Sequence, residues 1–406
     1  MASIKPFRAL RPLPVLASQV VAPPYDVLSS EEARQAAFDN TISFLHITKS
    51  EIDLKPTIDV HSQEVYDKAK ENLQRMLKEN VFFQDKQPCY YIYMLVMNGR
   101  TQTGLVCVSS VEDYEQDKIK KHEFTRPEKE KDRIDHMHTL RAQTGNVFLA
   151  YRDTPSVHKL IETWKKLYSP IYDLVTKDQV EHTIWCINDQ SIIDKITQAF
   201  ENEVPCTYIA DGHHRAASAA KVAAANPNNE DAQYFLTTLF PASQLAILDY
   251  NRVIKDLNGH TVDSLLQNLE NNFSITPASA AVKPTKLHQF GMYLQGKWYS
   301  LEAKQGTYTE DPIGILDVSI FTALILKKEF GIEDQRTDKR IDFVGGIRGL
   351  QELEKRVDSG EMKVAFSFYP VSIEQLFAIA DSGQVMPPKS TWFEPKLGDG
   401  FLTHVF

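Results

Sequence analysis

The spacing of hydrophobic and polar positions along the chain predicts helices and strands in alternation. Within residues 62–80, apolar side chains recur at helical spacing, so this segment is predicted to form an amphipathic helix. Two apolar runs flank the dipeptide Asn98-Gly99, which is typical of the turn of a β-hairpin. The two patterns alternate as far as the last residues, which predicts the α+β (mixed α/β) class.

Local signals add three further elements to this prediction. Ser29 or Ser30 is expected to cap a helix that begins in the stretch SSEEARQAAF. A second hairpin is predicted to turn through Gln295-Gly296-Lys297. Residues 118–145 are dense in Lys, Glu, Arg and Asp, and they are predicted to form a charged loop.

Length and composition narrow the class of protein. The chain has 406 residues, of which 42% are hydrophobic and 24% charged, which is ordinary for a globular protein with a packed core. Its length fits two domains or one elaborated domain. We predict an N-terminal α+β region over residues 1–275 and a C-terminal α/β region over residues 287–406, because the segment between them is rich in Pro, Ala and Ser.

Charge and cysteine usage restrict the partners and the compartment. The formal net charge of −9 disfavours a nucleic-acid partner, since binding phosphates needs a basic face. The four cysteines are far apart in apolar contexts and predict buried hydrophobes in a reducing cytoplasm. The first residues lack the apolar core of a signal peptide, and we expect no membrane partner.

The stretch ADGHHR predicts an anion site. Gly212 lies between a strand-like run and an alanine-rich helix, and the first N–H groups of a helix have no intrahelical partner. Arg215 can grip phosphate oxygens, and a histidine can donate to them. Asp211 could orient a histidine, hold a magnesium ion or bind a ribose. The alternative is that Asp211 only caps the helix and that the histidines are solvated.

A second cluster begins at His122 and Glu123. A glutamate beside lysines can stay ionised, and near a hydroxyl group it can act as a general base. The alternative is an ordinary solvated face. If the chain is extended at His136 and His138, these two histidines lie on the same side, which keeps a metal site open.

A third cluster follows two prolines near the C-terminal end. Lys389, Ser390 and Thr391 come directly after Pro387-Pro388, which can hold a phosphate-directed lysine and two hydroxyl groups on a rigid backbone. The alternative is a segment that is laid over the fold for packing.

Four motifs together resemble one family. They are PPYDV at residues 23–27, HEFT with the later pair Asp132-Arg133, ADGHHR at 210–215, and MPPKSTWFEPKLGDG at 386–400. In this order they resemble the bacterial family of unknown function DUF1015. That name implies no reaction.

DGHHR, GEMKVAFSF at 360–368 and SGQVMPPKST at 382–391 also resemble segments of the archaeal free serine kinases. This resemblance implies a nucleotide-binding core of the ParB and sulfiredoxin-like fold. It implies that Glu123 is the catalytic base. Asp26 or Asp211 is the substitute base that we consider, and we expect His214 to assist catalysis. The residues implied to bind nucleotide phosphates are Gly212, His213, His214 and Arg215. The residues that we expect to bind the substrate are Tyr25, Asp26, His122, Arg133, Lys389, Ser390 and Thr391.

These observations together predict a phosphotransferase. It is expected to use ATP or ADP with Mg²⁺ and to act on the hydroxyl group of a small amino acid, serine or phosphoserine, in either direction. Two other classes stay open: a metal-dependent hydrolase that uses the His, Asp and Glu cluster, and a nucleotide-binding regulatory protein without turnover. The oligomeric state is left open.

Overall fold

The computed structural model describes residues 1–406 and confirms the mixed α/β class, with helices α1–α13 and strands β1–β21. The helices are α1 (Ala17–Val20), α2 (Ser30–Ala36), α3 (Leu45–Thr48), α4 (Gln63–Lys78), α5 (Val111–Glu115), α6 (Pro127–Leu140), α7 (Pro155–Leu167), α8 (Gln190–Glu203), α9 (His213–Ala225), α10 (Val262–Leu269), α11 (Asp317–Phe321), α12 (Leu350–Asp358) and α13 (Ile373–Asp381). None of these helices is both long and apolar enough to cross a membrane.

The strands are short to medium in length. They are β1 (Ile4–Lys5), β2 (Leu10–Pro12), β3 (Phe82–Gln84), β4 (Tyr90–Met97), β5 (Arg100–Ser110), β6 (Ile119–Lys120), β7 (Ala142–Gln143), β8 (Val147–Tyr151), β9 (Tyr172–Val175), β10 (Glu181–Ile187), β11 (Thr207–Asp211), β12 (Tyr234–Pro241), β13 (Ile247–Leu248), β14 (Tyr250–Ile254), β15 (Phe273–Ala278), β16 (Gln289–Leu294), β17 (Lys297–Ala303), β18 (Ile341–Gly345), β19 (Val364–Phe368), β20 (Trp392–Phe393) and β21 (His404–Val405). A π-helical segment, Thr322–Lys327, follows α11.

The chain divides into two compact units. The first unit comprises Met1–Leu245 and Pro395–Phe406, and the second comprises Ala246–Glu394. The second unit is therefore inserted into the sequence of the first. The segment 275–286, where the sequence suggests a boundary, lies within the second unit.

A nine-stranded mixed sheet organises the first unit. Its strand order is β6-β11-β8-β12-β5-β4-β10-β9, and β1 adds to β5. β6 and β11 run parallel, whereas β8 runs antiparallel to β11. As a result, the C-terminal ends of β6 and β11 and the N-terminal end of β8 lie at the same edge of the sheet.

Helix α9 packs on this sheet through small side chains. Ala216, Ala219 and Ala223 are buried in the main hydrophobic core of the first unit, at the spacing of one helix face. Alanine has high helix propensity and no bulk beyond its methyl group. The alanine-rich sequence therefore brings the helix axis close to the strands, and it fixes the position of the residues at the helix start.

The second unit has its own six-stranded antiparallel sheet, in the order β15-β17-β16-β19-β14-β18. Its core contains the aromatic residues Phe290, Phe321, Phe366 and Phe368, whose rings meet edge to face. Each unit thus buries a separate hydrophobic core.

Most of the elements predicted from local patterns are confirmed. The helix predicted over residues 62–80 is α4, and Ser29 caps α2 in a reciprocal capping box with Glu32. Both predicted hairpins are present, since β4 pairs with β5 and β16 pairs with β17; the second turn is one residue shorter than predicted, because Lys297 already belongs to β17.

The predicted loop over residues 118–145 is wrong, because half of it is helix α6. Pro127 occupies the first turn, Glu128 suits the positive end of the helix, and Lys131 pairs with Asp135 at 2.5 Å one turn later. The sequence pattern concealed the helix because its buried face includes a glutamate, Glu130, as well as apolar side chains.

The close packing at Gly104 leads to a prediction about stability. A β-carbon at this position would lie 2.8 Å from side-chain atoms of Phe240 and Thr238. We expect Gly104→Ala to lower the free energy of unfolding by roughly 1 to 3 kcal/mol, because the strands must move to admit the methyl group. Urea unfolding followed by circular dichroism measures this change.

The matched control is Gly99→Asn, at a turn where no atom lies within 4 Å of the added carbon and where asparagine tolerates a positive φ. Equal stability of the two variants would contradict the packing described for Gly104.

Candidate functional site

The candidate site forms where the parallel strands β6 and β11 end. His122 follows β6 by two residues, and Gly212 directly follows β11. Because the two strands are paired in parallel, these residues leave the sheet at the same edge. Helix α9 then begins at His213, and no side chain caps its start. The predicted glycine corner is therefore present, and its first N–H groups are available to a ligand.

Gly212 is required at this corner for its conformation. Its φ is 97° and its ψ is 29°, a left-handed backbone that other residues rarely adopt. A β-carbon here would also lie 3.4 Å from the Cα of Val147, at the start of β8. Glycine thus allows the turn from strand into helix and leaves the helix start uncovered.

Two buried histidines meet at the corner. The rings of His122 and His213 are 4.5 Å apart and nearly perpendicular, and the backbone N–H of His122 donates to Nε2 of His213 at 3.4 Å. Burial lowers the pKa of His122 to about 4 and the pKa of His213 well below its ordinary value. Both imidazoles are therefore neutral at neutral pH.

Glu123 lies beside this pair. Its Oε2 is 3.8 Å from Nδ1 of His213, and because Nε2 accepts a hydrogen bond, the neutral ring carries its proton on Nδ1. Nδ1 of His122 is buried without a hydrogen-bond partner in the protein. The structure thus brings the predicted glutamate and both histidines together, and it leaves one ring nitrogen of His122 unpaired.

His214 is oriented by the segment that carries Glu123. The backbone N–H of Arg126 donates to its Nε2 at 3.0 Å, so the proton of the neutral ring lies on Nδ1. Burial and, next, the charge of Lys129 lower the pKa of His214 to about 4. His214 can therefore donate one hydrogen bond from Nδ1 at neutral pH.

Arg215 is the buried cation of the site. It donates to Asp26 at 3.1 Å and to the backbone carbonyl of Asn146, and its guanidinium lies 5.7 Å from the ring centre of Tyr25. Burial disfavours its charge, but the carboxylates of Asp26 and Asp211 raise the pKa of Arg215 above its ordinary value. Its charge is therefore retained in a buried position.

A second arginine also lies close to this aromatic ring. The guanidinium of Arg133 is 3.9 Å from the ring centre of Tyr25, and it donates to Asp132 at 2.7 and 2.5 Å. Asp132 is in turn fixed by the hydroxyl group of Tyr66 at 2.9 Å. The predicted residues Tyr25, Asp26 and Arg133 are thus assembled with Arg215.

Asp211 is held ionised by a lysine that sequence reasoning missed. Lys396, from the C-terminal segment of the first unit, lies 3.4 Å from the carboxylate of Asp211. Burial acts to raise the pKa of Asp211, but Lys396 and Arg215 together lower it to about 2. Lys396 lies within the motif MPPKSTWFEPKLGDG at residues 386–400, but its long-range proximity to Asp211 cannot be read from that motif.

A small cavity of about 20 Å³ lies beside these arginines. It is lined by Tyr25, Arg133, His136, Met137, Gln143, Thr144, Gly145, Val147, Arg215, Ala219, Phe235 and Leu236.

The third cluster, Lys389 to Thr391, belongs to the second unit. There the hydroxyl group of Ser390 donates to the carbonyl of Pro387 at 2.6 Å, and the buried Arg252 donates to the carbonyl of Lys389 at 2.9 Å. These contacts give the segment a defined backbone. The assignment of Lys389, Ser390 and Thr391 to the phosphate site stays a prediction.

The metal site that required an extended chain at His136 and His138 is wrong. Both residues lie on helix α6, where side chains two positions apart point in different directions. His136 is instead buried and bonds to the carbonyl of Ile47 at 2.9 Å. Residues 1–406 contain no group of three His, Cys, Asp or Glu side chains arranged to hold a metal ion.

The neutral buried histidines lead to a prediction about acid stability. The pKa of His122 is about 4 in the folded protein and 6.5 ordinarily, so this residue stabilises the fold above pH 6.5, and the contribution is lost as the pH falls through 4. We expect His122→Gln to reduce the fall in the free energy of unfolding between pH 7 and pH 4 by about 3 kcal/mol.

Urea unfolding at the two pH values measures this difference, with His158→Gln on the exposed side of α7 as the control. An unchanged pH dependence in His122→Gln would contradict the neutral, buried state of His122.

The sequence matches a known family over most of its length, whereas the fold has only weak similarity to solved structures. No curated protein matches the sequence. Solved structures with some similarity include a free serine kinase in complex with AMP (11% identity, 74% of this chain and 87% of that chain, TM-score 0.35), a conserved hypothetical protein from Pyrococcus furiosus (13%, 74% and 94%, 0.35) and C-terminally truncated SbnI from Staphylococcus aureus (10%, 72% and 85%, 0.33). At these TM-scores, the ParB and sulfiredoxin-like type of core stays a prediction.

The family described as "Protein of unknown function (DUF1015)" matches residues 4–319. This range includes the PPYDV, HEFT and DGHHR motifs and ends before the MPPKST segment. The match spans well over half of the chain, and the chain belongs to the DUF1015 family.

Proposed function

We propose that this protein transfers a phosphoryl group between an adenine nucleotide, ATP or ADP, and the hydroxyl group of a small amino acid, serine or phosphoserine. One observation carries the proposal: parallel strand ends bring the carboxylate of Glu123 to 3.8 Å from His213, at the uncapped start of α9. An anion cradle and a candidate base thus lie at one corner. The adenine and serine parts rest on the resemblance of the DGHHR motif.

The start of α9 supports phosphate binding. The first N–H groups of the helix point outward from its N-terminal end, where a ligand can reach them, and they carry partial positive charge. Neutral His214 offers a further N–H at Nδ1, as argued from its bond to Arg126. Phosphoryl transfer depends mainly on positioning and charge neutralisation, which N–H groups and a nearby arginine can supply. Gly212 leaves room for oxygen atoms to approach the backbone.

Glu123 is the best candidate for the base among the carboxylates at the corner. Asp211 pairs with Lys396 at 3.4 Å and has a pKa of about 2, so it accepts a proton poorly. Asp26 pairs with Arg215 at 3.1 Å. Glu123 is partly exposed and lies beside a neutral histidine, so it can reach the hydroxyl group of a substrate.

Asp211 fits a different role. Magnesium in nucleotide sites needs only one or two carboxylates, because phosphate oxygens and water supply the other ligands. An ionised Asp211 next to the helix start provides such a carboxylate. When bound there, the ion would neutralise charge on the phosphates. Arg215, whose positive charge interacts with Asp211, would also neutralise negative charge on the phosphates.

The proposal predicts different effects for two variants. We expect Glu123→Gln to lower the turnover number by about 10²- to 10⁴-fold, with nucleotide affinity nearly unchanged, because it removes the base alone. We expect His214→Ala to weaken nucleotide binding as well. Phosphorus NMR of the protein with Mg²⁺, ATP or ADP, and serine or phosphoserine measures exchange, and calorimetry measures nucleotide affinity.

His158→Ala, an exposed histidine on α7, is the control and should behave as the wild-type protein. Nucleotide binding without any phosphate exchange would contradict catalysis and identify a regulatory nucleotide-binding protein. Phosphate exchange that is the same in His214→Ala as in the wild-type protein would show that the corner is not the active site.

A further inference from the structure

Arg252 is a buried cation of the second unit that has no carboxylate partner. It lies on β14, between β18 and β19, and only 1% of its surface is exposed. By contrast, the buried Arg11 and Arg215 each pair with a carboxylate. A buried charge without a counter-charge is costly, and buried ionised groups are therefore normally paired. Arg252 thus carries a charge that the protein itself does not neutralise.

Backbone carbonyls and aromatic rings surround the guanidinium group of Arg252 instead. Nη1 donates to the carbonyl of Tyr250, and Nη2 donates to the carbonyl of Lys389 at 2.9 Å. The ring centres of Phe368 and Phe343 lie 4.7 and 5.4 Å from the guanidinium group. Nε is buried and has no hydrogen-bond partner in the protein. Attraction to carbonyl dipoles and ring faces offsets part of the cost of the buried charge, but it supplies no negative charge.

The ionisation of Arg252 agrees with this environment. Burial lowers its pKa to about 9, and the only group that acts on this pKa in the opposite direction is the phenol of Tyr250. The carboxylates of Asp249 and Glu394, on the neighbouring segments, accept hydrogen bonds from other side chains at 2.6 and 2.7 Å. Arg252 is therefore charged at neutral pH, and no carboxylate of the protein offsets its charge.

A second cation, Lys389, lies next to this group. Lys389 is exposed, and its ammonium group is 5.6 Å from the centre of the Tyr250 ring, which is itself 6.0 Å from the guanidinium group of Arg252. The backbone of Lys389 has a φ of 58°, in the left-handed region that a lysine rarely adopts. The bond from Arg252 to the carbonyl of Lys389 stabilises this conformation. Two positive charges therefore lie beside one ring, and one of them is open to solvent.

We infer that the second unit binds a phosphate group at Lys389, where the unneutralised charge of Arg252 adds to the charge of the lysine. Both cations belong to residues 246–394, whereas the corner at Gly212 belongs to the first unit. The inference therefore adds a second anion site to the chain, and it does not depend on the proposed function.

The two cations have different roles in this site. Lys389 is open to solvent and can contact the anion directly, as a point charge of the kind that binds phosphate. Arg252 is closed to solvent and acts on the anion through the protein interior, where charges are screened less than in water. A phosphate group carries roughly 1.5 to 2 negative charges at neutral pH and can offset both cations, whereas a carboxylate can offset only one.

The first test compares anions on the full chain. Calorimetry at constant ionic strength measures the binding of inorganic phosphate, of glycerol 1-phosphate and of acetate to His214→Ala, a variant chosen to weaken anion binding at the start of α9. We expect at least one phosphate probe to bind about tenfold more tightly than acetate, and the tighter probe identifies the source as the free ion or a monoester. If neither phosphate binds, or if acetate binds as tightly, the inference is overturned.

The second test adds one substitution at a time to the same His214→Ala protein. We expect Lys389→Gln and Arg252→Gln each to weaken phosphate binding by about tenfold, whereas Lys297→Gln, at an exposed turn of the same unit, leaves it unchanged. Arg252→Gln keeps a donor for the carbonyl of Lys389 but removes the charge. Parental affinity in a folded Arg252→Gln protein would therefore show that Arg252 only holds the backbone, and it would overturn the inference.

Lys389→Gln keeps this test valid if Arg252→Gln does not fold, because it replaces an exposed side chain. Circular dichroism shows whether each variant is folded, and parental affinity in Lys389→Gln would also overturn the inference. The two proposals fail in different ways. Phosphate binding that depends on Lys389, in a protein without phosphate exchange, contradicts only the proposed function. Phosphate exchange in the wild-type protein, with no phosphate binding in His214→Ala, contradicts only the second anion site.

Discussion

The parallel pairing of β6 with β11 is the constraint on which the candidate site depends. It contains only two residue pairs, Ile119 with Thr207 and Lys120 with Tyr208. Nevertheless, it fixes where two distant chain segments leave the sheet, because parallel strands end at the same edge. The contact between the rings of His122 and His213 follows from this register, and so does the approach of Glu123 to the helix start.

Arginine burial is the second organising principle. A buried guanidinium must have hydrogen-bond acceptors or carboxylates around it, since an unpaired buried charge is very costly. Arg215 meets this requirement with Asp26 and the carbonyl of Asn146, and the Asp211–Lys396 pair lies nearby. These partners come from four separate parts of the chain. The charges thereby tie the N-terminal segment, the β7–β8 connection and the C-terminal segment to one corner.

The sequence predicted this structure best where the signals are local. The class, the hairpins and helix α4 follow from periodicity and turn residues, and the glycine corner follows from a short motif. Helix α6 was missed because its buried face includes Glu130. An ion pair with Lys221, on helix α9, stabilises this buried glutamate. A partner ninety residues away cannot be inferred from one sequence.

The site shows the same division between local and distant information. The residues His122, Glu123 and Gly212 to Arg215 could be identified from motifs, because each motif contains residue types suited to phosphate chemistry. Lys396 and Asn146 could not, since their importance lies in distances to Asp211 and Arg215 that only the folded chain defines. Burial also decides protonation, and a motif does not reveal that His122 is 2% exposed.

The short pairing of β13 with β20 has a consequence for how the chain is built. Ile247 lies opposite Phe393, so the polypeptide enters and leaves the second unit at adjacent points. Insertion of one unit into another is tolerated where the two ends of the inserted unit lie close together, because the host chain can then continue along its own path. Residues 246–394 can therefore be treated as a removable cassette, and a shortened protein that joins Leu245 to Pro395 retains the segment carrying Lys396 and Asp399.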